Sequence, residues 1–257
     1  MTAAAVPTND YRVRFSGIVH AEFGKTWTVK AAWIVYSIIA ALGIGITVLN
    51  ATLSSEAPTD PATAILSGSL MLGLVIALHA ITTVTGEYGT GSIRTTMSAV
   101  PKRLPVLFAK SLLTAVTVTV YFVVLNFAML VTAKLVSDLS AFQDLSLTAS
   151  STLEPLFHGT AATVFFALIA VMIGFILRNT AGSLAFFIGV VVLMPDLLRL
   201  IPWDGMADIV QWSPMNLPNA PVFGFGELTS GQSYMGMGLW VLVLGIIACV
   251  SLKKRDV

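Results

Sequence analysis

The sequence predicts an all-α integral membrane protein: six transmembrane helices, an N-terminal amphipathic helix at the membrane interface and a short cytoplasmic helix. Three observations predict it. Of 257 residues, 56% are hydrophobic and only 11% charged, and the mean hydropathy is +0.87. Soluble domains carry about 25% charged residues, so there is too little charge here to coat a globule and lipid must solvate most of the surface. Six apolar runs are long enough for a helix to cross the hydrocarbon core, which takes about 20 residues. The basic residues gather in alternate connecting segments, as they do on the cytoplasmic side of membrane proteins.

In chain order, the first ten residues are polar and rich in Ala and Pro, unlike the basic-then-apolar start of a cleaved signal peptide. The first apolar run is therefore expected to be a retained span. Ahead of it, within 10–29, Phe15, Ile18, Val19, Phe23 and Trp27 recur at helical spacing among Arg12, Arg14, Glu22 and Lys25. This pattern predicts the interfacial helix. The spans are expected at 31–53, 62–85, 106–136, 156–177, 181–201 and 235–252, as one domain over 1–257. The third is long enough to tilt or to run on beyond the bilayer. The fourth and fifth are joined only by Arg178, Asn179 and Thr180, which requires a tight helical hairpin. Continuous apolar runs without period-2 alternation exclude barrel strands. The lone cysteine, Cys249, falls in the last run; it makes no disulfide framework and reads as a small buried hydrophobe.

Orientation follows from charge. Arg12, Arg14, Lys25, Lys30, Arg94, Lys102, Arg103, Lys110, Arg178, Lys253, Lys254 and Arg255 fall on one side, 12 of the 14 basic residues. The other loops hold only Lys134 and Arg199, with nine of the 13 acids. An even number of spans, with both termini cytoplasmic, satisfies this bias at every loop. In the cytoplasmic segment 86–105, Ser92 is placed to cap a helix and Pro101 to stop it, and Ile93, Met97 and Val100 share one face. On the outer side, the loop 202–234 carries Trp203, Trp212 and the run Phe223-Gly224-Phe225-Gly226, which suits the headgroup layer or a re-entrant turn.

The residues argue against chemistry within the chain. Phe23-Gly24-Lys25-Thr26 resembles the end of a phosphate loop, but the glycine required five residues earlier is Val19. His20, His79 and His158 lie on separate segments and cannot form a metal site by spacing. No nucleophile-elbow or zinc-protease motif occurs. Within the spans the one ionisable candidate is His79, too little for an ion-coupled pump. Asp196 and Arg199 are one turn apart at the outer end of the fifth span, where they can pair. Tyr121 and Asn126 are polar enough for interhelical hydrogen bonds. His79, Tyr121, Asn126, Phe186 and Phe187 are the candidates for a substrate pathway.

Three segments resemble the permease subunits of ABC-2-type (ATP-binding-cassette, type 2) transporters, in particular small ones from high-GC Gram-positive bacteria. The first is Ala21-Glu22-Phe23-Gly24-Lys25-Thr26-Trp27-Thr28-Val29-Lys30 ahead of the first span, with Glu22, Phe23, Lys25 and Trp27 on the interfacial helix. The second runs from Gly86-Glu87-Tyr88 through Gly91-Ser92-Ile93-Arg94 to Val100-Pro101-Lys102-Arg103 and Lys110. The third is the C-terminal Lys253-Lys254-Arg255-Asp256-Val257. The resemblance implies a subunit of the bacterial cytoplasmic membrane that pairs with a second permease, identical or paralogous. Each permease would dock on one of two separate ATPase subunits, which bind ATP and magnesium. This chain would hydrolyse no ATP, hold no cofactor or metal, and bind lipid but no nucleic acid. The segment 92–100 would be the coupling helix, with Glu87, Ser92, Ile93, Arg94, Met97, Val100, Lys102 and Arg103 serving the ATPase contact. Its apolar face would enter a cleft of the ATPase, and Glu87 would cap the second span and orient the loop. A drug, a peptide or a lipid-like amphiphile would be exported. The competing readings are an ion-coupled secondary transporter or channel, and a membrane anchor or sensor that moves nothing.

Overall fold

A computed structural model describes residues 14–53, 60–66, 68–100, 102–138, 140–203, 205–224 and 227–254. Met1 to Asp10, Arg12, Glu56, Pro101, Asp204, Phe225, Gly226, Arg255, Asp256 and Val257 lie outside the described residues. Every regular element described is helical. In order these are α1 (Phe15–Thr28), α2 (Lys30–Leu53), α3 (Pro61–Leu66), α4 (Gly68–Thr90), α5 (Ser92–Ala99), α6 (Leu104–Val136) and α7 (Ser140–Gln143). There follow α8 (Ser150–Leu177), α9 (Thr180–Phe186), a π-helical stretch (Phe187–Leu193), α10 (Met194–Leu198), α11 (Met206–Val210), α12 (Asn219–Phe223) and α13 (Ser230–Lys254). Six of the resulting segments are long and apolar enough to cross a membrane: α2, α3 with α4, α6, α8, α9 through α10, and α13.

The six coincide with the runs expected from sequence, and the shifts at their ends have local causes. The last begins at Ser230 rather than 235 because Thr229 and Gln232 form a capping box. The Thr229 N–H donates to Gln232 Oε1 at 2.8 Å and the Gln232 N–H to Thr229 Oγ1 at 3.3 Å. Asp60 caps α3, accepting from the N–H groups of Ala62 and Thr63 at 3.2 Å each. Asn179 caps α9 by accepting from the Gly182 N–H at 2.8 Å, which lets the hairpin after Arg178 turn at once. The third span, at 33 residues, is about 50 Å long and extends past the hydrocarbon. In the fifth, the N–H of Met194 reaches Gly189 O, five residues back. Pro195 follows; it has no N–H to donate and its ring crowds the carbonyl four residues earlier, which favours this widened turn.

At the centre is α8, with 72% of its most apolar stretch buried against 22% for α13. It runs parallel to α4, and small residues let the two backbones close. A Cβ on Gly73 would stand 2.8 Å from Thr163 Oγ1, and one on Gly174 3.0 Å from Val84 Cβ. Apolar helices in lipid gain little from the hydrophobic effect and associate through such close packing. Asn126 adds a polar tie at 0% exposure, accepting from Ser69 Oγ at 2.5 Å and donating to Thr160 Oγ1 at 3.3 Å. Outward faces of α2, α6 and α13 are apolar, for example Ile34, Val120 and Leu239.

Gly73→Leu is expected to lower the thermal midpoint of the purified chain in detergent, through overpacking worth about 1–3 kcal/mol. Gly45→Leu is the control, since a Cβ there meets nothing within 4 Å. Equal loss in both variants would refute the close-packing account.

The two ends of the bundle differ. At one, α1, α5, the α8–α9 hairpin and the end of α13 come together. Arg178 donates to Ser251 O at 2.9 Å, Arg103 to Leu252 O at 3.4 Å, and Thr180 to Thr85 Oγ1 at 2.8 Å. At the other, the 202–234 loop folds down through α11 and α12. Arg199 donates to Asn216 Oδ1 at 2.9 Å and lies 3.9 Å from Asp196, and Trp240 Nε1 donates to Trp212 O at 2.9 Å. His158 Nδ1 and the Tyr234 hydroxyl share a hydrogen bond there.

Candidate functional site

The basic end carries a buried ionic node. α1 leaves the bundle through one extended residue, Val29, and Trp33 Nε1 clamps the corner by donating to Trp27 O at 3.0 Å. This folds α1 back over α6 and brings Glu22 inside at 3% exposure. Lys110, six residues into α6, is 8% exposed. Its ammonium lies 2.8 Å from Glu22 Oε2 and 2.8 Å from Glu87 Oε1 on α4. Lys25 closes the set, 2.6 Å from Glu22 and 3.3 Å from Glu87, and also donates to Thr96 Oγ1 on α5 at 3.0 Å. Two carboxylates and two ammonium groups sum to zero, so each buried charge has a counter-charge. The N-terminal α1 and the consecutive helices α4, α5 and α6 are thus tied at one point.

Burial pushes the Glu22 carboxyl up, but the charges and hydrogen bonds of Lys110 and Lys25 outweigh it and hold it below its usual 4.5. A carboxyl depressed in the folded state contributes stability that is present above its unfolded value. That contribution is lost as pH falls below about 4.5 toward the folded value.

Several expectations change here. On α1, Phe15 and Phe23 are 46% and 49% exposed, whereas Ile18 and Glu22 point inward. Trp27 stacks on Tyr36 with ring centres 6.2 Å apart. The cap of α5 is Gly91, not Ser92; it takes φ +73°, which only glycine adopts readily, so that α5 can turn sharply off α4. The apolar face of α5 is not on offer to a partner. Ile93, Met97 and Val100 are 2%, 7% and 8% exposed, packed into this chain's own core. Ser92, Arg94, Thr95, Ser98 and Ala99 are the exposed residues of that helix, and Lys102 follows them on the surface. Glu87, expected to cap the second span, faces the node instead. Nor is His79 the sole ionisable group within the spanning-length helices, because Lys110 sits inside α6.

The pathway candidates do not converge. His79 lines a narrow cleft below the node, and Tyr121 packs on its wall residue Tyr36, ring centres 4.7 Å apart and its hydroxyl donating to Tyr36 O at 2.5 Å. Asn126 is committed to helix packing. Phe187 is 0% exposed inside the bundle, while Phe186 is 40% exposed on its outside. Sequence reading named Glu22, Lys25, Glu87 and Lys110 but did not pair them. The available signal was Lys110, a charge within an apolar run that demands a partner.

No family model matches the chain, and no curated protein matches it.

Proposed function

We propose that the chain is the membrane-spanning permease subunit of an ATP-driven exporter of the ABC-2 type, docking on a separate ATPase through α5. The observation that carries this reading is the attachment of α5. It is a two-turn helix between the second and third spans, displayed at the basic end and joined to the node through Lys25 and Thr96. A push on α5 therefore reaches α1, α4 and α6 together, the property a drive element needs. The excess of Lys and Arg at this end orients it to the cytoplasm, where an ATPase would meet it. Two such chains would enclose the pathway, and ATP-driven approach of the two ATPases would rock the spans between two states. The sparse outer loops favour export of an amphipathic substrate.

The test is co-expression with the ATPase subunit encoded beside the gene and purification in detergent. A stable complex with ATPase activity that responds to candidate substrates is the expected result. A chain that purifies alone, with transport that follows an ion gradient, would instead establish a secondary transporter. A complex whose ATPase rate no substrate alters would establish an anchor.

A further inference from the structure

Below the node a narrow cleft enters the bundle between α1, α2, α4 and α6. Glu22, Tyr36, His79, Lys110, Thr114 and Thr117 line it together with apolar groups such as Ile76 and Val118. Its free volume of about 40 Å³ takes two or three water molecules at roughly 10–15 Å³ each. That is far too little for a drug-sized ligand, which needs about 300 Å³ or more.

Two groups on the wall need a partner of that size. His79 Nε2 is buried and has no hydrogen-bond partner among the described residues. Lys110 has three N–H donors and directs two of them to Glu22 and Glu87, which leaves one. The hydroxyls of Thr114 and Thr117 stand on the same wall. Buried polar groups are rarely left unpaired, and polar side chains at membrane depth usually face one another or water.

We propose that this cleft is a hydrated proton-binding site, in which ordered water joins His79 to Lys110 and brings a proton to the imidazole. A hydronium ion gives its proton to the Nε2 lone pair of the Nδ1–H tautomer, leaving imidazolium and water. The titratable groups that share the cleft with this charge are Glu22 from α1, Tyr36 from α2 and Lys110 from α6; Lys25 and Glu87 lie behind them in the node, and Tyr121 behind Tyr36. The four charges of the node sum to zero, so a proton on His79 makes the pocket net positive and repels Lys110. That repulsion weakens the Lys110–Glu22 contact and loosens α1. The inference holds whatever docks on α5.

The experiment places nitroxides at His20→Cys and Thr95→Cys, both exposed, in a Cys249→Ser background. Pulsed electron resonance then follows the α1–α5 distance in detergent from high to low pH. Two steps are expected. One, from His79, lies at the higher pH; the other, from Glu22, falls below 4.5. His79→Gln should abolish the first and keep the second. A wild-type profile with only the lower step, or an upper step that survives His79→Gln, overturns the proposal. Should His79→Gln fail to fold, ¹⁵N-histidine labelling of the unsubstituted chain decides. The His79 ring signal must titrate and exchange magnetisation with water, and a signal that does neither also overturns it.

Discussion

Replacing Lys110 by methionine is expected to produce the largest loss of stability of any single substitution at the basic end, about 3–5 kcal/mol. The methionine fills the space, so the loss is electrostatic. Glu22 and Glu87 are left at 3% and 12% exposure, facing each other with only Lys25, itself 40% exposed, to compensate. An unpaired buried carboxylate must either pay its desolvation or take up a proton. Thermal unfolding in detergent gives the loss, and faster proteolysis within α1 locates it. The decisive comparison is the double variant Lys110→Met with Glu22→Gln. It restores neutrality, with Lys25 opposite Glu87, so much of the stability should return. If the two substitutions simply add, the residues do not act as one node, since contacting partners in a network are expected to couple by about 0.5–3 kcal/mol. Lys25→Ala should cost less than about 1 kcal/mol, because an exposed cation is screened by water.

The bundle was legible because lipid imposes a simple rule. A spanning helix must be a long apolar run, and 31–53 or 106–136 can hardly be read otherwise. What was not legible were contacts made across the bundle. Gly73 and Gly174 look like ordinary helix-weakening residues until Thr163 and Val84 are found against them. The pairing of Glu22 with Lys110 joins residues 88 positions apart, and no local pattern encodes it. Hydropathy also misplaces the ends of helices, because the polar starts at Thr229 and Asn179 contribute hydrogen bonds rather than apolar surface. For α5 the helical periodicity was right and the direction of the face was wrong. Period shows which residues share a side of a helix, but not whether that side meets the bundle, lipid or a partner. In α1 the inward side carries Glu22, an acid acceptable in the interior only because Lys110 waits there.

The same ambiguity sets the second large effect. Ile93→Asp combined with Met97→Asp is expected to unseat α5 from its own bundle, not merely to block a docking partner. Both side chains are nearly fully buried, and a carboxylate in each place would be buried without a counter-ion. Burial of unpaired charge and loss of two apolar contacts together predict at least about 4 kcal/mol, seen as a lower thermal midpoint of the chain purified alone. Docking is probed instead at the exposed Arg94. Arg94→Glu should leave the stability within about 0.5 kcal/mol of the original and yet weaken the proposed complex with an ATPase subunit, most of all at low ionic strength, where surface charge pairs count most. The two variants thus separate folding from docking. A stable Ile93→Asp, Met97→Asp chain that fails only to bind would return the apolar face of α5 to the partner. Normal binding by Arg94→Glu would leave Thr95, Ser98 and Lys102 to carry the contact. Loss of binding at unchanged stability would make the polar face of α5 the surface through which force enters the node.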